Sequence, residues 1–116
     1  MATTPTARKR GRVNDGRGNN ADRKRRKLNM LRHHGDGATC PCAWCGDVLT
    51  FDTIEADRIE AGYNGGRYVM TNVVPACRHC NASRQETPAD EYAARCADPE
   101  RARAMIAHAA TYRPQR

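Results

Sequence analysis

The sequence predicts a small α+β domain, and three observations carry that reading. Two Cys-x-x-Cys pairs, Cys42/Cys45 and Cys77/Cys80, bracket the segment 46–76. Inside it, the alternating run "TIEADRI" and the apolar run "VVPA" flank a glycine-punctuated stretch, "EAGYNGGRYVMTN", as two short strands around a loop would. Outside it lie helix signals: a basic run after Asn20, then Thr87-Pro88-Ala89-Asp90 and Asp98-Pro99-Glu100. Each of the last two sets a capping residue before a proline and an acid in the first turn.

The elements follow in order. Residues 1–19 are polar, mix Gly, Pro, Asn and Arg without period, and read as an arm disordered when free. Asn20 is positioned to cap a helix over about 21–33, with Leu28 and Leu31 as its apolar edge and Gly35 and Gly37 at its end. "TCPCAWCGDVLT" reads as a cysteine turn and a short strand. In "TIEADRI", Ile54, Ala56 and Arg58 fall on one face and Glu55, Asp57 and Ile59 on the other. Pro75 limits the second strand, and "CRHCNASRQE" opens a helix. Two more helices are predicted over about 88–96 and 99–111. The chain thus divides into an arm (1–19), a basic helix (20–34), a core (35–87) and a helical extension (88–116).

Composition sets bounds. With 39% hydrophobic and 5% aromatic residues in 116, the core is thin and a staple is expected. No apolar run approaches membrane-spanning length and no apolar leader opens the chain, which points away from a membrane and toward a reducing cytoplasm. There, paired cysteines suggest metal before disulfide. Four thiolates in two tight turns suit one structural zinc ion, held by Cys42, Cys45, Cys77 and Cys80. Two disulfides or unconnected thiols are the alternative. Cys40 competes with Cys42, but Cys42-Ala-Trp-Cys45-Gly46 is the loop that a glycine closes. Cys96 reads as a small buried hydrophobe.

Charge is unevenly spread. Residues 1–34 hold eleven Lys/Arg against two Asp, so the remainder of a +7 chain is mildly acidic. Seventeen of the twenty basic residues are arginine, which suits bidentate phosphate contact. Arg8, Lys9, Arg10, Arg12, Arg23, Lys24, Arg25, Arg26 and Lys27 therefore read as phosphate contacts to nucleic acid, mostly independent of sequence. Arg84, one turn past Asn81, is a further candidate.

The stretches "CAWCGDVLT", "TIEADRI" and "GGRYVMTNVVPACRHCN" resemble the HNH endonucleases, the cysteine-bearing branch of the ββα-metal nucleases, over about residues 28–86. In particular, they resemble small HNH proteins of bacteriophages of high-GC actinobacteria, which implies a phage-encoded protein acting in the bacterial cytoplasm. The resemblance implies a β-hairpin followed by a helix, holding one Mg²⁺ or Mn²⁺ ion that assists phosphodiester hydrolysis in DNA. It implies Asp57 and Asn81 as ligands of that ion and Asn72 as the residue that pins the hairpin loop. It also puts Arg58 where the family keeps its histidine base.

A guanidinium stays protonated and has no acceptor, so Arg58 is no ordinary base. Three readings stay open. Another group (His79, Tyr63, Tyr68 or a hydroxide carried by the ion) takes the proton while Arg58 clamps the scissile phosphate. Or cleavage is lost and DNA binding remains. Or Arg58 is an exposed strand residue and the register is shifted. Glu55 reads as a surface acid, with a supporting acid or second ligand as alternatives. His33 and His34 read as favourable charges at a helix end. Further partners left open are phage packaging proteins and a second copy of the chain. A zinc-stapled DNA-binding protein without catalysis is the competing function, and an RNA-binding zinc knuckle a third.

Overall fold

The computed structural model describes residues 17–61 and 66–114. Arg8, Lys9, Arg10, Arg12 and Tyr63, and most of the arm expected to be disordered, lie outside them. Helix α1 spans Asn20–His34. Strands β1 (Cys40–Pro41) and β2 (Val48–Leu49) pair antiparallel, as do β3 (Glu55–Arg58) and β4 (Val73–Ala76). A 3₁₀ turn, Met70–Asn72, leads into β4. Helices α2 (Arg78–Arg84), α3 (Ala89–Arg95) and α4 (Pro99–Ala109) complete the chain. The result is α+β, with two small antiparallel sheets among helices. No helix of the described residues is long and apolar enough to cross a membrane.

Helix α1 begins one residue earlier than the sequence suggested, and Asn19 rather than Asn20 caps it. The Asn19 side chain accepts from the Asp22 amide at 2.9 Å, and Asp22 accepts from the Asn19 amide at 3.0 Å. Asn20 would face Arg23 three residues on, which has no acceptor to return the bond. The apolar edge also shifts: Met30 and Leu31 are buried, whereas Leu28 stays 39% exposed.

The cysteine turn carries a strand on each side, because Cys40 pairs with Leu49 and Pro41 with Val48. Gly46 closes it at φ +83°, a left-handed conformation that favours glycine. In the second hairpin Glu55 faces Ala76, Ala56 faces Pro75, Asp57 faces Val74 and Arg58 faces Val73. All four β4 residues are buried.

Helix α3 starts at Ala89, with Pro88 rather than Thr87 at its cap position and no side-chain cap bond. Thr87 is instead drawn back to α2: its amide donates to the Arg84 carbonyl and its carbonyl accepts from Arg84 Nε, each at 2.9 Å. Helix α4 is capped by Asp98, which accepts from the Arg101 amide at 3.0 Å. Trp44, Leu49, Ile54, Val73 and Val74 form the centre of the core, closed by Met30 and Leu31 of α1 and by Ala102, Met105 and Ala109 of α4.

Candidate active site and cysteine cluster

The cysteine cluster is built by two turns that aim sulfurs inward. The Cys42 sulfur accepts from the Cys45 amide at 3.5 Å and from the Cys77 amide at 3.4 Å. Cys77 in turn caps α2, its sulfur accepting from the Cys80 amide at 3.4 Å. The four sulfurs lie within 4.8 Å of one another, with Cys45 and Cys77 3.9 Å apart. Four sulfurs at about 2.3 Å from one tetrahedral zinc stand roughly 3.8 Å apart, so the donor set fits that ion. Burial pushes the Cys45 thiol up to about 11 and Cys80 higher still. A dication at the centre would offset the repulsion of four thiolates. Cys40 and Cys96 stay outside the cluster, and all six cysteines are free thiols. His79, between two of the ligands, is exposed.

Asn72 spans the mouth of the hairpin loop. Its Oδ1 accepts from the Glu60 amide at 3.0 Å, and its Nδ2 donates to the carbonyls of Arg67 at 2.9 Å and Glu60 at 3.2 Å. Its own carbonyl accepts from the Ile59 amide at 2.7 Å. These bonds tie the end of β3 to the start of β4.

Asp57 and Arg84 form a buried pair. One Asp57 oxygen accepts from Trp44 Nε1 at 2.9 Å, the other from the Arg84 guanidinium at 2.6 Å. Asp57 is 6% exposed and Arg84 2%. Burial pushes the Asp57 carboxyl up, against the pull of Arg84 and Trp44. Arg84 also donates to the carbonyls of Arg58 at 2.6 Å and Ile59 at 2.9 Å, and its guanidinium carbon lies 5.4 Å from the Trp44 ring centre. The reading of Arg84 as a phosphate contact is thereby corrected: its nitrogens are spent inside the fold. Nothing in the residue order signals this, because a buried arginine and a surface one are spelled alike.

The open part of the site lies beside α1. A cleft of about 270 Å³ is lined by Arg17, Arg23, Arg26, Lys27, Glu55, Tyr68 and Asn81, among others. Across it, Asn81 Nδ2 donates to a Glu55 carboxylate oxygen at 2.9 Å. The Arg58 guanidinium stacks 4.3 Å from the ring centre of Tyr68, which lines the same cleft, and donates to the Gly66 carbonyl at 3.3 Å. Arg17 and Arg26 stand over the same ring at 5.3 and 5.2 Å. Lys27 donates to the Phe51 carbonyl at 3.2 Å. Lys24 and Arg25 are exposed and do not line this cleft.

A divalent ion on Asp57 and Asn81 does not fit this arrangement. Each Asp57 oxygen already accepts an N–H bond, and an ion there would have to displace the buried Arg84 guanidinium. The side chains that meet in the cleft are those of Glu55 and Asn81, through the amide nitrogen of Asn81.

Over 51 residues the chain is 41% identical to the CRISPR-associated endonuclease Cas9 of Corynebacterium diphtheriae. The match covers 42% of this chain and 5% of that protein, so the chain spans a small part of the relative's length. No protein-family profile matches the chain. No solved structure matches it.

Proposed function

We propose that this protein is a metal-dependent DNA endonuclease or nickase of the HNH kind, stapled by one structural zinc ion. The observation that carries the reading is the 41% identity over 51 residues to an endonuclease. The fold supports the reading: four cysteine sulfurs converge from the β1–β2 turn and the start of α2, and a basic cleft is lined by α1, β3 and Asn81.

The chain's own residues suit the binding of a phosphodiester. Arg17, Arg26 and Arg58 gather around Tyr68, so three guanidiniums surround one aromatic ring. Planar forks of this kind match phosphate oxygens. Arg58 therefore acts as a phosphate clamp and not as a base. Tyr68 lines the cleft, whereas His79 is exposed between the cysteines and does not line it.

The second reading is a zinc-stapled DNA-binding protein without cleavage. Two observations favour it: Asp57 is locked in an ion pair, and no histidine lines the cleft among the described residues. Plasmid nicking with Mg²⁺, Mn²⁺ and Ni²⁺ decides between them. Conversion of supercoiled to open-circular DNA, lost in Arg58→Gln, is expected. Retarded but intact plasmid under all three ions supports the second reading.

A further inference from the structure

We propose that the carboxylate offered to a divalent cation is Glu55, with the Asn81 amide oxygen as second donor, and that Asp57 is a buried strut. This rests on the reading of the cleft as a phosphodiester site.

Glu55 and Asp57 share a face of β3, yet they meet different surroundings. Asp57 lies over the Trp44 and Arg84 side chains, 6% exposed, with an N–H donor on each oxygen. Glu55 lies one pleat nearer the open end of the hairpin, opposite Ala76, and is half-buried at the cleft wall. Asn81, one residue after a cluster cysteine, reaches it across 2.9 Å through Nδ2.

That bond uses the donor end of the amide and one carboxylate oxygen. Among the described residues the Asn81 Oδ1 and the second Glu55 oxygen carry no side-chain partner. A carboxylate and an amide oxygen are hard donors that suit Mg²⁺ or Mn²⁺, which keep several positions for water and phosphate. Rotation of one amide would turn Oδ1 toward the cleft, whereas an ion on Asp57 would have to expel a guanidinium that also holds three carbonyls.

The neighbours set how strongly the ion binds. Arg17, Arg23, Arg26 and Lys27 face the same space, with Asp52 and Glu55 the acids. A dication alone is opposed by these charges. A DNA phosphate neutralises them and adds oxygen ligands, so ion and phosphate bind with positive coupling, and each tightens the other by the same factor.

The experiment measures Mn²⁺ binding by electron paramagnetic resonance, with and without a short DNA duplex, on the full chain loaded with zinc. Wild type is expected to bind one Mn²⁺ beyond what the duplex alone takes up. Glu55→Gln weakens this at least tenfold with an unchanged melting temperature. Asp57→Asn keeps the Mn²⁺ site within about threefold while melting several degrees lower. Wild-type binding in Glu55→Gln overturns the proposal, even if Asp57→Asn fails to fold. So does a wild-type protein that takes up no Mn²⁺ with duplex present. Nicking assays on the same samples separate this from the proposed function. Glu55-dependent Mn²⁺ uptake without nicking leaves the site standing and removes the enzyme. Nicking and Mn²⁺ uptake that both ignore Glu55 do the reverse.

Discussion

The guanidinium of Arg84 sits 2.6 Å from a carboxylate oxygen of Asp57, and both side chains are buried. The pair joins α2 to β3 in the centre of the domain, with Trp44 from the cysteine turn as its third member. Removing one partner leaves the other charged and unsolvated. Arg84→Ala is therefore expected to lower unfolding free energy by about 3–5 kcal/mol, measured by urea titration. Replacing both, as Asp57→Leu with Arg84→Met, recovers part of that loss. An Arg84→Ala protein as stable as wild type would show that the pair contributes nothing.

Zinc loading is predicted to follow the cluster and no other thiol. One zinc per chain is expected by elemental analysis. Cys42→Ser or Cys80→Ser should abolish it and unfold the domain, since zinc contributes about 10–16 kcal/mol in zinc-finger peptides. Cys40→Ser should keep full zinc, because Cys40 is buried in β1 outside the cluster. Loss of zinc in the Cys40 variant would reassign the fourth ligand.

Stability is expected to fall as pH drops from about 6.5 to about 4, in part through His34. Burial, with His33 and His108 beside it, holds the His34 imidazole down to about 4 from 6.5. Among the described residues, neither of its ring nitrogens has a hydrogen-bond partner. Between those values the unfolded chain binds a proton that the folded one does not, so acid favours unfolding. At about 1.4 kcal/mol per unit, discounted for partial exposure, the contribution is about 2 kcal/mol across the window. Thermal melts at pH 7.5 and 5 should show His34→Phe losing less than wild type. Equal losses would remove His34 as the cause.

DNA affinity should depend on salt through α1. Each phosphate contact contributes about 0.9 to the slope of log K against log salt. Arg23→Gln with Arg26→Gln, both in the cleft wall, is expected to flatten that slope by up to about 1.8. Tyr68→Ala should weaken binding further by loosening the three guanidiniums around its ring. A slope unchanged in the double variant would place the DNA elsewhere.

Much of this arrangement was legible in the residues. The cysteine spacing picked out the four sulfurs that converge, and the glycine after Cys45 chose Cys42 over Cys40. Alternation in "TIEADRI" gave the two faces of β3, and the Pro-acid signals gave α3 and α4 to within two residues. What stayed hidden was partner choice in the interior. Period alone places Glu55 and Asp57 on one face. Only the packing of Trp44 and Arg84 decides that one is buried and the other meets the cleft. Arg84 was misread for the same reason, because its partners lie about 26 residues back along the chain, at Asp57, Arg58 and Ile59.

Helix α2 has seven residues, too few to hold a direction by itself. Its aim is borrowed: sulfur chemistry fixes one end through Cys77 and Cys80, and Arg84 anchors the other against the hairpin. Asn81 rides between these two moorings, next in the chain to a cluster cysteine. Its angle into the cleft is thus a readout of how well both are made. A molecule with every side chain intact but a poorly loaded cluster would be chemically whole and geometrically out of true.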